Sequence, residues 1–221
     1  GRGHALTYES VRSFPFSQKS SSPTSRGRSC TTIMKDKGLA DPQAPVTPLA
    51  EIEIGDISLG ELGECFLKDD WVLEGFMAEH FRNIGAKSVQ IGAWATGGAV
   101  AQVRGKVRSG EMIVPVPPNP MCPKETRLSV TYHVLLSPEL VIFETSTMSH
   151  DVPYGSSFNL VICDRFTKDS DGGKVIMTRL AALEWLQSCW LQKQVENGTK
   201  TALKLDAEKW AAFIQRKFLP A

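Results

Sequence analysis

The chain has 221 residues, 42% of them hydrophobic, which is enough for one domain with a real core plus a tail. Its 25 basic and 24 acidic residues leave a formal net charge of +1, without the basic excess that nucleic-acid binding requires, so nucleic acid is excluded as a main partner. Cys30, Cys65, Cys122, Cys163 and Cys189 form no C-x-x-C pair, and His4, His80, His133 and His150 fall at no metal-ligand spacing. The pattern predicts reduced thiols in a cytosolic setting, with neither a disulfide frame nor a bound metal or cofactor.

Residues 9–32 are serine-rich and carry Arg12, Arg26 and Arg28 against one acidic residue, and residues 41–48 add three prolines. Such a stretch buries too little apolar surface to offset its ordering entropy, so residues 1–50 read as a disordered tail or linker. The Ser/Arg-rich, acid-poor composition leaves a targeting segment as the alternative. No run approaches the roughly 18 apolar residues of a membrane span.

A folded domain is expected over residues 51–219. Leu59, Leu62, Cys65 and Phe66 recur at helical spacing, with Ser58 as N-cap and Glu61 three residues on. A second helix is predicted over Trp71–Arg82, where Leu73, Phe76, Met77, His80 and Phe81 share a stripe, Asp69 and Asp70 sit at the N-terminal end and Gly85 follows the stop. Two short helices therefore precede the first expected strand.

Strand-like alternation then occupies residues 87–95, 98–108, 110–116, 127–136, 139–148, 156–167 and 174–186, with Gly97-Gly98 as a hairpin point. The connections are short, so neighbours should pair antiparallel in a meander of six or seven strands. From Trp190 to Phe218 a long helix is predicted, its stripe running through Leu191, Val195, Gly198, Ala202 and Leu205 to Trp210, Phe213 and Ile214. Gly198 inside a helix is an anomaly, read either as close packing against the sheet or as space left for a ligand. Asn197-Gly198-Thr199 matches a glycosylation sequon, taken as chance in a cytosolic helix.

Asp151-Val152-Pro153-Tyr154-Gly155 connects two of the strands. Pro153 fixes φ, Gly155 tolerates φ > 0, and Asp151 accepts backbone N–H groups, so the run reads as a rigid structural connection; Tyr154→Ala is expected to lower stability first. His150 and Asp151 are adjacent on a strand and point to opposite faces, and no nucleophile is singled out beside them. With no G-x-S-x-G, phosphate loop or paired carboxylates, the chain is not read as an enzyme.

Helix, helix, antiparallel sheet, long helix is the layout of an α+β helix-grip fold. Residues of about 57–215 resemble a VASt domain, the sterol-transfer module related to the steroidogenic-acute-regulatory lipid-transfer domains. The blocks that carry the resemblance are Cys65-Phe66-Leu67-Lys68-Asp69-Asp70 with Phe76, Val89-Gln90-Ile91-Gly92-Ala93-Trp94, a basic strand with Arg104 and Arg108, and Pro123-Lys124-Glu125-Thr126. The Asp-Val-Pro-Tyr-Gly run, Trp190-Leu191, Val195-Glu196-Asn197-Gly198 and Glu208-x-Trp210 follow in order. Ser156 stands where the family usually has Asp, and the family's aromatic after the arginine is replaced by Met112 or Val114.

The resemblance implies non-catalytic carriage of a sterol or similar apolar lipid by a monomer, peripheral to membranes in the cytoplasm and at organelle contact sites. A lipid-sensing module that binds without transferring is the alternative. The loop Val114–Thr126, with Pro115, Pro117, Pro118, Pro120 and Lys124, would be the lid and make a transient membrane contact. Trp94, Pro118, Met121, Phe143, Val195, Thr199 and Ala202 are the expected ligand-binding residues.

Overall fold

The computed structural model describes residues 48–95, 105–118, 120 and 122–219. The expected tail over residues 1–50 falls almost entirely outside them, as do the Gly97-Gly98 hairpin, Arg104 and Met121. Seven strands form one curved antiparallel sheet: β1 (Ala50–Gly55), β2 (Lys87–Ile91), β3 (Lys106–Pro115), β4 (Glu125–Leu136), β5 (Leu140–Ser149), β6 (Phe158–Lys168) and β7 (Val175–Trp185). Their order is β1-β7-β6-β5-β4-β3-β2, a meander closed at one side by the first strand. Helices α1 (Leu59–Leu67) and α2 (Gly75–Asn83) follow β1, and the long α3 (Gln192–Phe218) ends the fold. This is the helix-grip arrangement expected.

Four local expectations need correction. A strand, not a helix, comes first: Ile52 and Ile54 alternate with Glu51 and Glu53, and β1 pairs with β7 from Ala50↔Arg179 to Gly55↔Val175. The second helix begins at Gly75 rather than Trp71, because the Asp70 carboxylate accepts the N–H groups of Val72 and Leu73 at 2.9 and 3.0 Å and holds a turn that sends Trp71 into the core. The expected break near residue 109 is absent, and β3 runs through it to pair with β4 over its whole length. Gly110 sits there because a Cβ would stand 2.9 Å from the Gln90 carbonyl and 2.5 Å from Ile91.

The fourth correction concerns α3. Its buried stripe is Leu203, Ala207, Trp210, Ala211, Phe213 and Ile214, whereas Leu205 is 54% exposed. The earlier turns bury no side chain, so the apolar positions there carry no true phase. Gly198 faces open space, with no atom within 4 Å of the point where a Cβ would stand, which removes close packing as its explanation. The Ser58 cap of α1 stands as expected, its hydroxyl accepting the Glu61 N–H at 3.2 Å.

One end of the concave face is filled. Phe66 of α1 stacks on Phe143 with ring centroids 4.5 Å apart and lies 5.9 Å from Phe166 and 6.2 Å from Trp210. Val141, Met177 and Ile214 complete this plug with no exposure. Beside it, the Arg108 guanidinium is held between Trp71 and Trp94, 3.6 and 4.0 Å from their ring centroids, and donates to the Asp69 and Lys68 carbonyls at 2.9 and 2.7 Å. Burial lowers the Arg108 pKa to about 10, against the raising influence of Asp69.

The Asp151–Gly155 connection is pinned by its acid. Asp151 accepts the Arg127 backbone N–H at 2.8 Å and pairs with the Arg127 side chain at 2.7 Å, which together pull its pKa down to about 2. Positive φ falls on Tyr154, at 61°, and not on Gly155. Gly155 answers a different need: a Cβ there would meet the Ser149 carbonyl oxygen at 2.7 Å. His150 and Asp151 do not alternate across a strand as expected: both lie past the end of β5, where His150 Nε2 stands 2.7 Å from Ser129 Oγ and Asp151 bonds Arg127, two residues apart on one face of β4.

Candidate functional site

The inward residues of β3 to β6 grow more exposed in one direction along the strands. Met112, Tyr132, Phe143 and Asp164 are buried, while Val114, Leu128, Thr147 and Leu160, farther toward the opposite end from the Phe66 plug, are half-exposed. A cavity of about 610 Å³ accounts for this gradient. The sheet forms its back wall, Met77, His80 and Phe81 of α2 with Ile84 at its C-cap one side, and Ala202, Leu203, Leu205 and Trp210 of α3 the other. It exists because the Phe66 plug of α1 fills only one end of the concave face.

The walls are apolar except at the floor. There the Arg179 guanidinium grips Asp164 with two bonds of 2.7 Å, between residues paired directly across β6 and β7. Asp206 on α3 accepts a third bond from Arg179 at 2.6 Å. Burial works against the Arg179 charge, but the two carboxylates outweigh it and raise the guanidinium's pKa above its ordinary value. Burial in turn raises the Asp164 pKa, with the Arg179 bonds opposing it, and the two-bond geometry is what satisfies the buried pair.

Two further polar groups border the floor. The Trp210 indole N–H is buried without a hydrogen bond of good geometry, although it lies near enough to the Asp164 carboxylate to favour its charge. His80 packs edge-on against Trp210 at 4.5 Å, and its pKa falls to about 4. Burial is the main cause; Asp206 opposes it and Arg179 adds to it. His80 is therefore a neutral imidazole at pH 7. The floor thus presents an ion pair, a neutral imidazole and an indole N–H to the chamber.

Of the expected ligand residues, Phe143 and Ala202 line the cavity, and so does Pro117 of the loop. Trp94, Pro118, Val195 and Thr199 are not among the lining residues, and Met121 lies outside the described ones. Trp94 is taken up by the Arg108 clamp, and Val195 and Thr199 belong to the front turns of α3, ahead of where it meets the sheet. Pro115, Pro118, Pro120 and Lys124 are exposed in the loop, whose base is closed by the Val116 N–H donating to the Lys124 carbonyl at 2.8 Å.

Asp164, Arg179, His80, Tyr132 and Trp210 are not singled out by sequence reasoning. A signal for two of them exists: Asp164 interrupts the inward series Leu160, Ile162, Phe166, and Arg179 interrupts Met177, Ala181, Leu183. Charges at core-phase positions of adjacent strands mark a buried pair. A family model, VASt, described as the VAD1 Analog of StAR-related lipid transfer domain, matches residues 49–202.

Proposed function

Since this chain belongs to the VASt family, START-like domains that bind lipids, we propose that it carries one sterol or similar lipid in the cavity and transfers it between membranes chemically unchanged. The observation that carries this reading is the cavity itself: about 610 Å³ of mostly apolar-walled space, within the range of roughly 300–1,000 Å³ for small-molecule sites, with a satisfied ion pair at its floor. A rigid apolar ligand with one hydroxyl fits both features. The hydroxyl would accept from the Trp210 indole and donate to Asp164, whose oxygens each retain a lone pair beyond the Arg179 bonds. The hydrocarbon would lie along Val130, Thr147 and Leu160 toward the Pro-rich loop, which acts as lid.

In this reading the domain spans residues 51–219 behind a linker at 1–50, works as a monomer, and meets membranes peripherally from the cytoplasm, organelle contact sites included. Among the described residues, no helix is long and apolar enough to cross a membrane. A fluorescent sterol titrated into the wild-type protein should bind saturably, and Thr145→Trp, which fills the middle of the cavity, should abolish binding while the fold still melts cooperatively. Absence of saturable binding to the wild type overturns the carrier. Acceleration of sterol exchange between vesicles separates transfer from a sensor, which would bind and leave exchange unchanged.

A further inference from the structure

The end of the sheet at which the cavity opens is assembled from successive loops tied to one another. The Lys87–Glu125 ion pair joins the start of β2 to the base of the Pro-rich loop. Arg127 and Asp151 join the start of β4 to the turn after β5, and Leu186 N–H donates to the Ser157 carbonyl at 2.8 Å, joining that turn to the connection between β7 and α3. Along this one edge stand Ile84 (38% exposed), Tyr154 (41%), Leu186 (40%) and Trp190 (86%). Four of the seven exposed large hydrophobic side chains among the described residues are thus gathered where the cavity opens.

The charges at this edge are arranged to match. Its carboxylates Glu125 and Asp151 are each bonded to a cation, whereas Lys124 and Lys193 are exposed and enter no ion pair among the described residues. Two cations of this edge are thus uncommitted, beside the Glu184 carboxylate next to the end of β7. The apolar groups are single side chains on separate loop tips with polar backbone between them. A protein partner would need a contiguous apolar patch; a bilayer surface accepts such tips one by one, and Trp and Tyr are the residues that settle at its headgroup level.

We propose that this edge is a bilayer-docking surface in which Trp190, Leu186 and Tyr154 seat in the headgroup region on one side of the cavity mouth, opposite the Pro-rich loop, with Lys124 and Lys193 facing anionic headgroups. The inference rests on the lipid-carrier reading and adds to it a second contact, so that the mouth is bracketed rather than hinged on one loop. Trp71 and Trp210 are buried and Trp94 and Trp185 half-buried, which makes Trp190 the exposed member of the chain's five tryptophans.

The test uses the full chain with phosphatidylcholine vesicles, with and without phosphatidylserine, some carrying brominated acyl chains. Tryptophan emission should shift to the blue and be quenched by the brominated lipid, and Trp190→Phe should lose most of that quenching. Trp190→Ser with Leu186→Ser should weaken vesicle partition by roughly tenfold or more, since one large apolar side chain leaving water is worth that much, and phosphatidylserine should strengthen wild-type partition. Undiminished partition of the double variant overturns the proposal, as does sedimentation showing that the wild type self-associates through this patch and the variant does not. A titration with sterol and no vesicles reads the carrier separately. A chain that fails it yet shows the Trp190 quenching keeps the docking surface and loses the carrier reading.

Discussion

At a φ of 61°, a side chain other than glycine costs about 1–2 kcal/mol, and Tyr154 bears that strain next to a glycine that does not. The two neighbours have divided the demands of a tight connection. Tyr154 supplies the left-handed turn, and Gly155 supplies the absence of a Cβ beside the Ser149 carbonyl oxygen. Gly155→Ala should therefore lower stability by roughly 1–3 kcal/mol, because a backbone atom has to yield. Tyr154→Gly should leave stability unchanged or raise it by up to about 1 kcal/mol. Urea midpoints at constant m-value compare the two, and a larger loss from Tyr154→Gly than from Gly155→Ala would reverse the assignment. Asp151 and Gly155 are further fixed points of the motif, and Tyr154→Ala, which keeps the positive φ, should lower stability before it affects transfer.

The two halves of α3 do different jobs. From Leu203 onward the helix is a wedge of the core, and the cavity is lined by its residues from Ala202 to Trp210, while the turns ahead of them bury no side chain. Gly198 lies in those front turns with open space where a Cβ would go, so Gly198→Ala should stabilise the protein by up to about 1 kcal/mol through helix propensity alone. A raised melting temperature checks this; a lowered one would mean that the helix has to bend there. Helix α2 contributes a pH dependence through His80. Its pKa of about 4 lies below the unfolded value of 6.5, so the unfolded chain takes up the proton first. The stability that the neutral imidazole brings is complete above pH 6.5, declines as pH falls toward 4, and amounts to about 3 kcal/mol at most. Urea unfolding across that window should show His80→Gln losing less stability than the wild type; parallel slopes would refute the linkage.

At the scale of the molecule, the sheet is legible because β4 to β7 each keep a period of two between short turns, and a one-residue slip in any of them would expose the core face. The first strand escapes notice since six residues of Ala-Glu-Ile-Glu-Ile-Gly resemble a lead-in until β7 is there to pair with them. The cavity floor is hidden for a related reason: Asp164 and Arg179 are ordinary charges in a line of text, and only the β6–β7 register makes them one group. The front of α3 misleads because a helix that buries nothing there has no stripe to find.

The pairing of the first strand with the last also sets an order in time. As the chain emerges from a ribosome, β1 appears early and has no edge to join until β7 has been made, and α3, which packs against β1, comes later still. Closing so long a loop is slow, and the hydrophobic edge of a nascent β1 has to be kept from other chains in the interval. The glutamates at positions 51 and 53, both exposed in the finished fold, put a charge at every second residue of that waiting strand.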